Sequence, residues 1–167
     1  MAIEHLMVAA PLVATEAERE SDSLPPYLTV FPWFEMPSGN WPHFSEAIRR
    51  VVQDAMQPTI QWGDPALFST SEGSNPNRQR DRAARTFNVV NGLGVHTDIH
   101  HAVRANSGNF DPTYVGEHWY PRVSNGEAGK LAEGQELILS ELAVFERKTA
   151  MGAETIRAVY KWETVSV

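Results

Sequence analysis

Two short segments of the sequence share an order of residue types that could hold a phosphate group. Pro26-Tyr27-Leu28-Thr29 and Pro121-Arg122-Val123-Ser124 each read proline, a long polar-tipped residue, an aliphatic residue and a hydroxyl. On a β-strand, residues two apart face the same side. In each segment, therefore, the polar-tipped residue and the hydroxyl are predicted to share one face while the aliphatic residue packs on the other.

A polar face shared in this way is one that a binding site could use. Thr29 and Ser124 offer hydroxyls as hydrogen-bond donors, and Arg122 adds a fixed cation with a fork geometry suited to phosphate. Tyr27 offers a hydroxyl and a flat face for a base or a ribose. The alternative is an ordinary pair of half-buried strands, because these also alternate polar and apolar residues.

The elements that must position these residues can be read along the chain. A buried strand is expected over residues 5–13, and helices over 44–55 and 93–105, where apolar residues recur at three- and four-residue spacing. Further strands are expected over residues 27–34, 59–69, 86–90, 118–124, 135–149 and 154–164, the last two forming a hairpin. Runs of strands broken by two helices predict an α+β fold in a single domain over residues 1–167.

With this element order and motif spacing, the chain resembles the two-histidine phosphoesterases, the group of the 2'-5' RNA ligases and cyclic phosphodiesterases. Members carry two His-x-Thr/Ser motifs, typically preceded by proline, on central strands that face each other across a groove. Tyr27-Leu28-Thr29 falls where the first motif is expected, and Arg122-Val123-Ser124 where the second is expected. The resemblance implies two lobes, antiparallel sheets and two main helices around a central groove.

Both motif histidines are replaced in this sequence. In the family, one histidine acts as general base and the other as general acid, which requires groups that titrate near neutrality. Free tyrosine has a pKa of about 10, and arginine stays protonated throughout the physiological pH range. Tyr27 and Arg122 therefore cannot form that pair. The resemblance then implies a degenerate protein that binds a nucleotide, an RNA end, or a cyclic or 2'-5'-linked oligonucleotide with little or no hydrolysis. It also implies that the hydroxyls of Thr29 and Ser124 donate to phosphate oxygens, with Tyr27 and Arg122 as the other binding residues.

Two other functions remain open at this stage. One is an active phosphodiesterase that uses substitute groups, such as His118 with Tyr27, since His118 lies four residues before Arg122 and would share its face on a continuous strand. The other is a protein-interaction module on the same fold, because fold does not fix function.

Several further residues have a possible role and a simpler explanation. His96 and His100 are four apart on the second helix and could bind a metal, but half-buried helix histidines are the more common case, and no metal or cofactor is predicted. Trp33 or Trp119 could stack on a base, although core packing explains tryptophans first. The arginine-rich segment 78–85, predicted as a loop, could reach over the groove.

Composition limits the class of partner. The chain has 167 residues, no cysteine, a net charge of -7 and a pI near 5.3. A protein that binds duplex nucleic acid by neutralising phosphates should be basic, so non-specific duplex binding is not expected. The apolar run from Leu6 to Val13 is too short to cross a membrane. We therefore expect a cytoplasmic protein with a small nucleotide or oligonucleotide ligand and, as an option, a protein partner.

Overall fold

The computed structural model describes residues 2–11, 27–55, 57–71, 79–119, 122–124, 136–147 and 154–162. For residues 60–71, 79–90 and 122–124 it describes the course of the backbone. The strands are β1 Ile3–Pro11, β2 Tyr27–Pro37, β3 Thr59–Ser71, β4 Gln79–Val90, β5 Asn109–Phe110, β6 Arg122–Ser124, β7 Glu136–Ile138, β8 Glu141–Arg147 and β9 Glu154–Lys161. The helices are α1 Trp41–Asp54 and α2 Gly92–Ala105. The predicted α+β class is confirmed.

The strands form two antiparallel sheets. The first sheet has five strands in the order β5-β2-β1-β8-β9, and the second has four in the order β6-β4-β3-β7. The two predicted motif strands, β2 and β6, therefore belong to different sheets. Within the described residues, β6 occupies one edge of the second sheet, and β5 pairs with the outer side of β2 at Phe34 and Glu35.

β1 lies at the centre of the first sheet and is apolar on both faces. Leu6, Val8 and Ala10 point into the main core, which the two helices cover. Met7 and Ala9 point to the opposite face and form a second, smaller cluster with residues of β8 and β9. Burial on both sides explains why this strand appears in the sequence as a continuous apolar run rather than an alternating one.

Each helix buries one stripe in the main core. In α1 the buried side chains are Phe44, Ile48, Val51 and Val52, and in α2 they include Val95, His96, Ile99 and Val103. The helices contact each other, and α2 also contacts β2. Leu93, an apolar residue in the first turn of α2, is 59% exposed. Of the helices in the described residues, neither is long and apolar enough to span a membrane.

Three predicted boundaries are wrong. The segment 70–85 was predicted as a loop, yet β3 runs to Ser71 and β4 starts at Gln79, because a long backbone ladder between them outweighs the weak strand propensity of the residues. The single strand predicted over 135–149 is two strands, since the chain passes between sheets at Leu139 and Ser140. The strand predicted over 118–124 includes β6, but its first residue, His118, belongs to the 3-10 turn Gly116–His118 instead.

β2 carries two bulges that change which residues face the core. Thr29 lies opposite Ala9 and Phe31 lies opposite Val8, so Val30 is an extra residue on β2. A one-residue slip moves side chains to the other face of a sheet. Phe31 is therefore buried in the main core, although it has the same parity in sequence as Thr29. A second extra residue lies between Phe31 and Phe34, where Pro32 indicates a bend.

Candidate functional site

Tyr27 and Thr29 lie on the face of the first sheet that is opposite the helices. We call it the Thr29 face and define it by Met7, Ala9, Tyr27 and Thr29. The assignment follows from the register, in which Thr29 is opposite Ala9, and from the packing of Tyr27 in the cluster of Met7 and Ala9. The residues between and after them, Leu28 and Val30, are 1% and 4% exposed in the main core. The alternation predicted for this segment is therefore present.

The ring of Tyr27 is packed rather than extended into solvent. It meets Phe145 edge to face, with 5.1 Å between ring centroids and 81° between ring planes. A ring held this way has few orientations, and its half-buried position leaves part of it accessible on the Thr29 face. It can present a fixed aromatic surface near the start of β2.

The second motif strand lies next to the first. β6 pairs with β4, with Arg122 opposite Thr86 and Ser124 opposite Ala84. Its Cα atoms also come within 8 Å of those of β2, although the strands belong to different sheets. The backbones that carry the four predicted binding residues are thus neighbours at the junction of the sheets. The directions of the Arg122 and Ser124 side chains lie outside the description, so their convergence with Thr29 stays a prediction.

The side chain of His96, on α2, forms hydrogen bonds with the backbone beside this junction. The N–H of Gly116 donates to Nε2 of His96 at 2.9 Å, so Nε2 is an acceptor and the ring proton sits on Nδ1. Nδ1 donates to the carbonyl of Val30, the extra residue of the β2 bulge, at 2.6 Å. The bulge frees that carbonyl from the ladder, and His96 binds it.

Trp119 contacts both His96 and the neighbouring backbone of β2. Its indole stacks on the His96 ring with 4.8 Å between centroids and 8° between planes, and its Nε1–H donates to the carbonyl of Thr29 at 3.3 Å. The chain enters β6 three residues later. The peptide units of Thr29 and Val30 are thereby fixed from α2 and from the segment that leads to Arg122.

With this geometry established, solved structures provide a comparison. The chain matches the crystal structure of TT0787 of Thermus thermophilus with a TM-score of 0.59 and 10% identity over 95% of this chain and 97% of that chain. It matches a crystal structure described as a phosphoesterase with a TM-score of 0.51 and 10% identity over 98% of this chain and all of the other. The chain has a phosphoesterase-like fold. No family model matches the sequence, and no curated protein does either.

Within this phosphoesterase-like fold, the positions of His118 and His96 bear on the alternatives considered from the sequence. The even spacing of His118 and Arg122 predicted that both side chains lie on one face of a strand. His118 instead lies in the 3-10 turn that precedes β6, so the spacing does not place the two side chains on a common face. Both nitrogens of His96 are hydrogen-bonded, which leaves no lone pair for a metal. Among the described side chains, no group of three or more His, Asp or Glu residues is arranged to hold a metal ion.

Burial also affects how these histidines titrate. Desolvation lowers the pKa of His96 below its usual range, and the neighbouring His100 lowers it further, while the bond to Val30 opposes both. Desolvation likewise lowers the pKa of His100. A neutral His96 is consistent with its role as a donor on one side and an acceptor on the other.

Three of the four arginines of segment 78–85 lie on a strand, and the fourth lies outside the described residues. Arg80, Arg82 and Arg85 are residues of β4, paired with Thr70, Phe68 and Pro65 of β3. The prediction of a loop is therefore wrong for these three, and Arg78 lies outside the described residues. Whether their side chains reach the groove stays a prediction.

Sequence reasoning missed a polar row that crosses the whole first sheet. The register places Asn109 opposite Glu35, Glu35 opposite His5, His5 opposite Arg147, and Arg147 opposite Glu154, one residue from each strand. His5 has the same parity on β1 as Ala9, so the row lies on the Thr29 face. The signal was hidden because these residues are scattered over 150 positions of the chain and meet only through strand pairing.

Trp33 packs beside this row. The guanidinium carbon of Arg147 is 4.3 Å from the centroid of its indole ring, and Arg147 is itself held by Glu154 at 2.8 Å. A cleft of about 400 Å³ opens at this end of the sheet, lined by His5, Trp33, Phe34, Glu35, Asn109, Phe110 and Asp111. Of the two tryptophans considered for base stacking, Trp33 borders a cleft and has Arg147 over its ring, whereas Trp119 stacks on His96.

Proposed function

We propose that this chain is a degenerate relative of the two-histidine phosphoesterases that binds a nucleotide or phosphodiester between β2 and β6 and hydrolyses it little or not at all. The observation that supports this most directly is the approach of β2 and β6 across the sheet junction. It brings two strands that carry the paired sequence motifs side by side, within a fold shared with a solved phosphoesterase.

The structure of β2 adds a second line of support. β-bulges are frequent next to active sites, where they redirect side chains. The bulge at Val30 directly follows Thr29 and is fixed by His96, so the Thr29 hydroxyl has a rigid backbone behind it. Pre-organised donors of this kind suit the binding of an anion, because little order must be gained when the ligand arrives.

Binding of the phosphate is assigned mainly to Arg122 in this proposal. Charge-assisted hydrogen bonds contribute about 1.5–3 kcal/mol, so Arg122→Ala should weaken binding by about ten- to more than a hundredfold. Thr29→Ala and Ser124→Ala should each cost less, about 0.5–1.5 kcal/mol. Arg122→Lys should restore part of the affinity, because a point charge cannot make the bidentate contact.

Calorimetric titration with 2',3'-cyclic nucleotides and 2'-5'-linked dinucleotides tests this assignment. Arg104→Ala, which removes an exposed arginine from the end of α2, is the matched control for loss of one positive charge. Affinity that is unchanged in Arg122→Ala would place the ligand elsewhere. No binding of any of these ligands at millimolar concentration would instead favour the interaction-module hypothesis.

Weak or absent hydrolysis follows from the residues available. β2 and β6 contain no histidine, and His5, on the same face, is four residues along β1 from Ala9, or about 13 Å from the level of Thr29. Without a near-neutral pair at the phosphate, each lost acid–base group removes about 10²–10⁴-fold in rate. Turnover of a 2',3'-cyclic phosphate within the usual enzyme range of about 1–10³ s⁻¹ would contradict the proposal.

A further inference from the structure

We infer that the cleft beside Trp33 is a subsite for a nucleobase, and that it selects a base with two adjacent N–H donors on one edge, as guanine has. The inference rests on the proposed function, because it assigns a neighbouring base to the ligand whose phosphate would lie between β2 and β6. The size of the cleft, about 400 Å³, is within the range of about 300–1,000 Å³ that small-molecule sites occupy.

The aromatic wall of the cleft is held rigidly. Arg147 lies over the Trp33 ring at 4.3 Å and is fixed by its ion pair with Glu154. Trp33 also packs against the cluster of Met7 and Ala9, yet it remains partly exposed on the side of the cleft. An indole restrained in this way loses little freedom when a base stacks on it, and stacking tolerates any base because each has a π-face.

The polar groups of the cleft favour a base over a phosphate. Glu35 is 52% exposed and its carboxylate faces His5 Nδ1 at 3.7 Å, a contact that is ionic only when His5 is protonated. Asp111 stays ionised, because hydrogen bonds from the Thr113 hydroxyl and backbone N–H lower its pKa, and both bonds use Oδ1. Two carboxylates repel an anionic phosphate but accept hydrogen bonds from the N–H groups of a base.

The donor pattern of the bases sets the expected order of preference. Guanine presents a ring N–H and an amino group side by side, which one carboxylate can accept together in the bidentate geometry that carboxylates favour. Adenine and cytosine present an amino group next to a ring acceptor, and uracil presents one ring N–H between two carbonyls. A carboxylate meets an acceptor beside the donor in those bases, so guanine should bind best.

The position of the cleft identifies the ligand as an oligonucleotide rather than a mononucleotide. The polar row that includes Glu35 and His5 lies on the Thr29 face, four residues along β1 from the level of Thr29, which is about 13 Å. A base in the cleft and a phosphate at Thr29 then belong to neighbouring nucleotides of one strand. The polymer backbone between them would run over the side chains that cover Met7 and Ala9, which are themselves 2% and 0% exposed.

Titration of the ¹⁵N-labelled protein with each of the four nucleosides, followed by NMR, tests the subsite. Nucleosides lack phosphate, so the result does not depend on Arg122 or on the proposed phosphate site. We expect saturable shifts of the Trp33 indole and of the Glu35 and Asn109 amides, largest with guanosine. In Glu35→Gln and Trp33→Leu the affinity should fall at least about fivefold, the low end of base–aromatic stacking for the tryptophan.

The controls keep the inference falsifiable. Asp98→Asn removes an exposed carboxylate from α2, away from the cleft lining, and should leave the guanosine shifts unchanged. Glu35→Gln leaves the packing of Trp33 intact, so it remains informative if Trp33→Leu is unstable. No shift at millimolar guanosine, or equal shifts with all four nucleosides, would overturn the subsite. In either case, binding of a cyclic nucleotide that depends on Arg122 would leave the proposed function standing.

Discussion

A histidine predicted as a core residue or half of a metal site turns out to fix the backbone of the candidate site. His96 is fully buried, with its proton placed on Nδ1 by the N–H that Gly116 donates to Nε2. A second proton on Nε2 would face that N–H, so protonation breaks the bond and puts a charge in the core. Such a group links the order of the site to pH.

The free energy of unfolding should therefore fall in mild acid. Burial depresses the pKa of folded His96, whereas the unfolded chain takes up its proton near pH 6.5. The contribution is complete above about pH 6.5 and is lost as the pH falls towards the folded pKa, with a slope of up to about 1.4 kcal/mol per pH unit. Urea unfolding at a series of pH values measures this slope.

Replacing His96 separates its contribution to the loss of stability in acid from the contribution of the protein's carboxylates. His96→Gln should lose about 1–3 kcal/mol near neutral pH, because two hydrogen bonds of about 0.5–1.5 kcal/mol each are disturbed, and its stability should vary less with pH. His101→Gln, at an exposed position of the same helix, is the control. Equal pH slopes in wild type and His96→Gln would show that other groups cause the acid sensitivity.

Residue-level prediction from the sequence worked where strand alternation is regular and failed where the register changes. The shared face of Tyr27 and Thr29, with Leu28 opposite, follows from alternation alone. The burial of Phe31 does not, because it depends on the extra residue at Val30, which is visible only in the pairing with β1. For the same reason the sequence could not show that His96 binds the Val30 carbonyl.

At the scale of elements, the end of α2 shows how tightly one backbone turn is fitted. The N–H of Gly108 donates to the carbonyl of Val103 at 2.8 Å, and Ser107 before it adopts a left-handed conformation with φ of 61°. A Cβ at position 108 would overlap Val103 Cγ1 and lie 2.8 Å from the Val103 carbonyl oxygen. The glycine lets the chain turn closely against the helix into β5.

Gly108→Ala should therefore destabilise the protein by about 1–3 kcal/mol, the usual cost of overpacking. Gly94→Ala, within α2 itself, is the opposite case, since nothing lies within 4 Å of its added Cβ. It should be neutral or stabilise by up to about 1 kcal/mol through helix propensity. Thermal unfolding of both variants gives the comparison. A Gly108→Ala variant as stable as wild type would contradict the prediction and would show that the turn can rearrange at little cost in free energy.

Element boundaries were hardest to predict where the long-range partner decides the structure. The polar residues at the ends of β3 and β4 look like a loop by composition, yet they pair along an extended hairpin. β7 and β8 look like one strand because both carry strand-type residues, but β7 pairs with β3 and β8 with β1. Local propensity contains no information about which sheet a strand joins.

For the whole molecule, the element order and the two motif positions were sufficient to anticipate the fold class, because both depend on periodicity along the chain. The division of the strands into two sheets was expected from the family resemblance and not from the residues themselves. The polar row and the cleft beside Trp33 were beyond sequence reasoning, since they join residues from β1, β2, β5, β8 and β9.

The net charge leads to a prediction at this same scale. At -7 the molecule repels polyanions overall, while a local pocket can still attract one phosphate. We expect no measurable binding to a long DNA or RNA duplex at physiological salt, and binding of short oligonucleotides that depends only weakly on salt. Fluorescence anisotropy with labelled duplex and single-stranded probes over a salt series tests both. A steep loss of duplex affinity with rising salt would reveal extensive phosphate contacts and contradict the prediction.

The central position of β1 in the first sheet has a consequence for how the protein is made. β1 pairs on one side with β2, which follows it closely in the chain, and on the other with β8, which begins only at Glu141. During synthesis the apolar strand Ile3–Pro11 must wait, with one edge open, until the ribosome has released residues 141–147. Closing so long a loop is slow, so the β8 side of β1 stays open to pairing with other chains until β8 has been made.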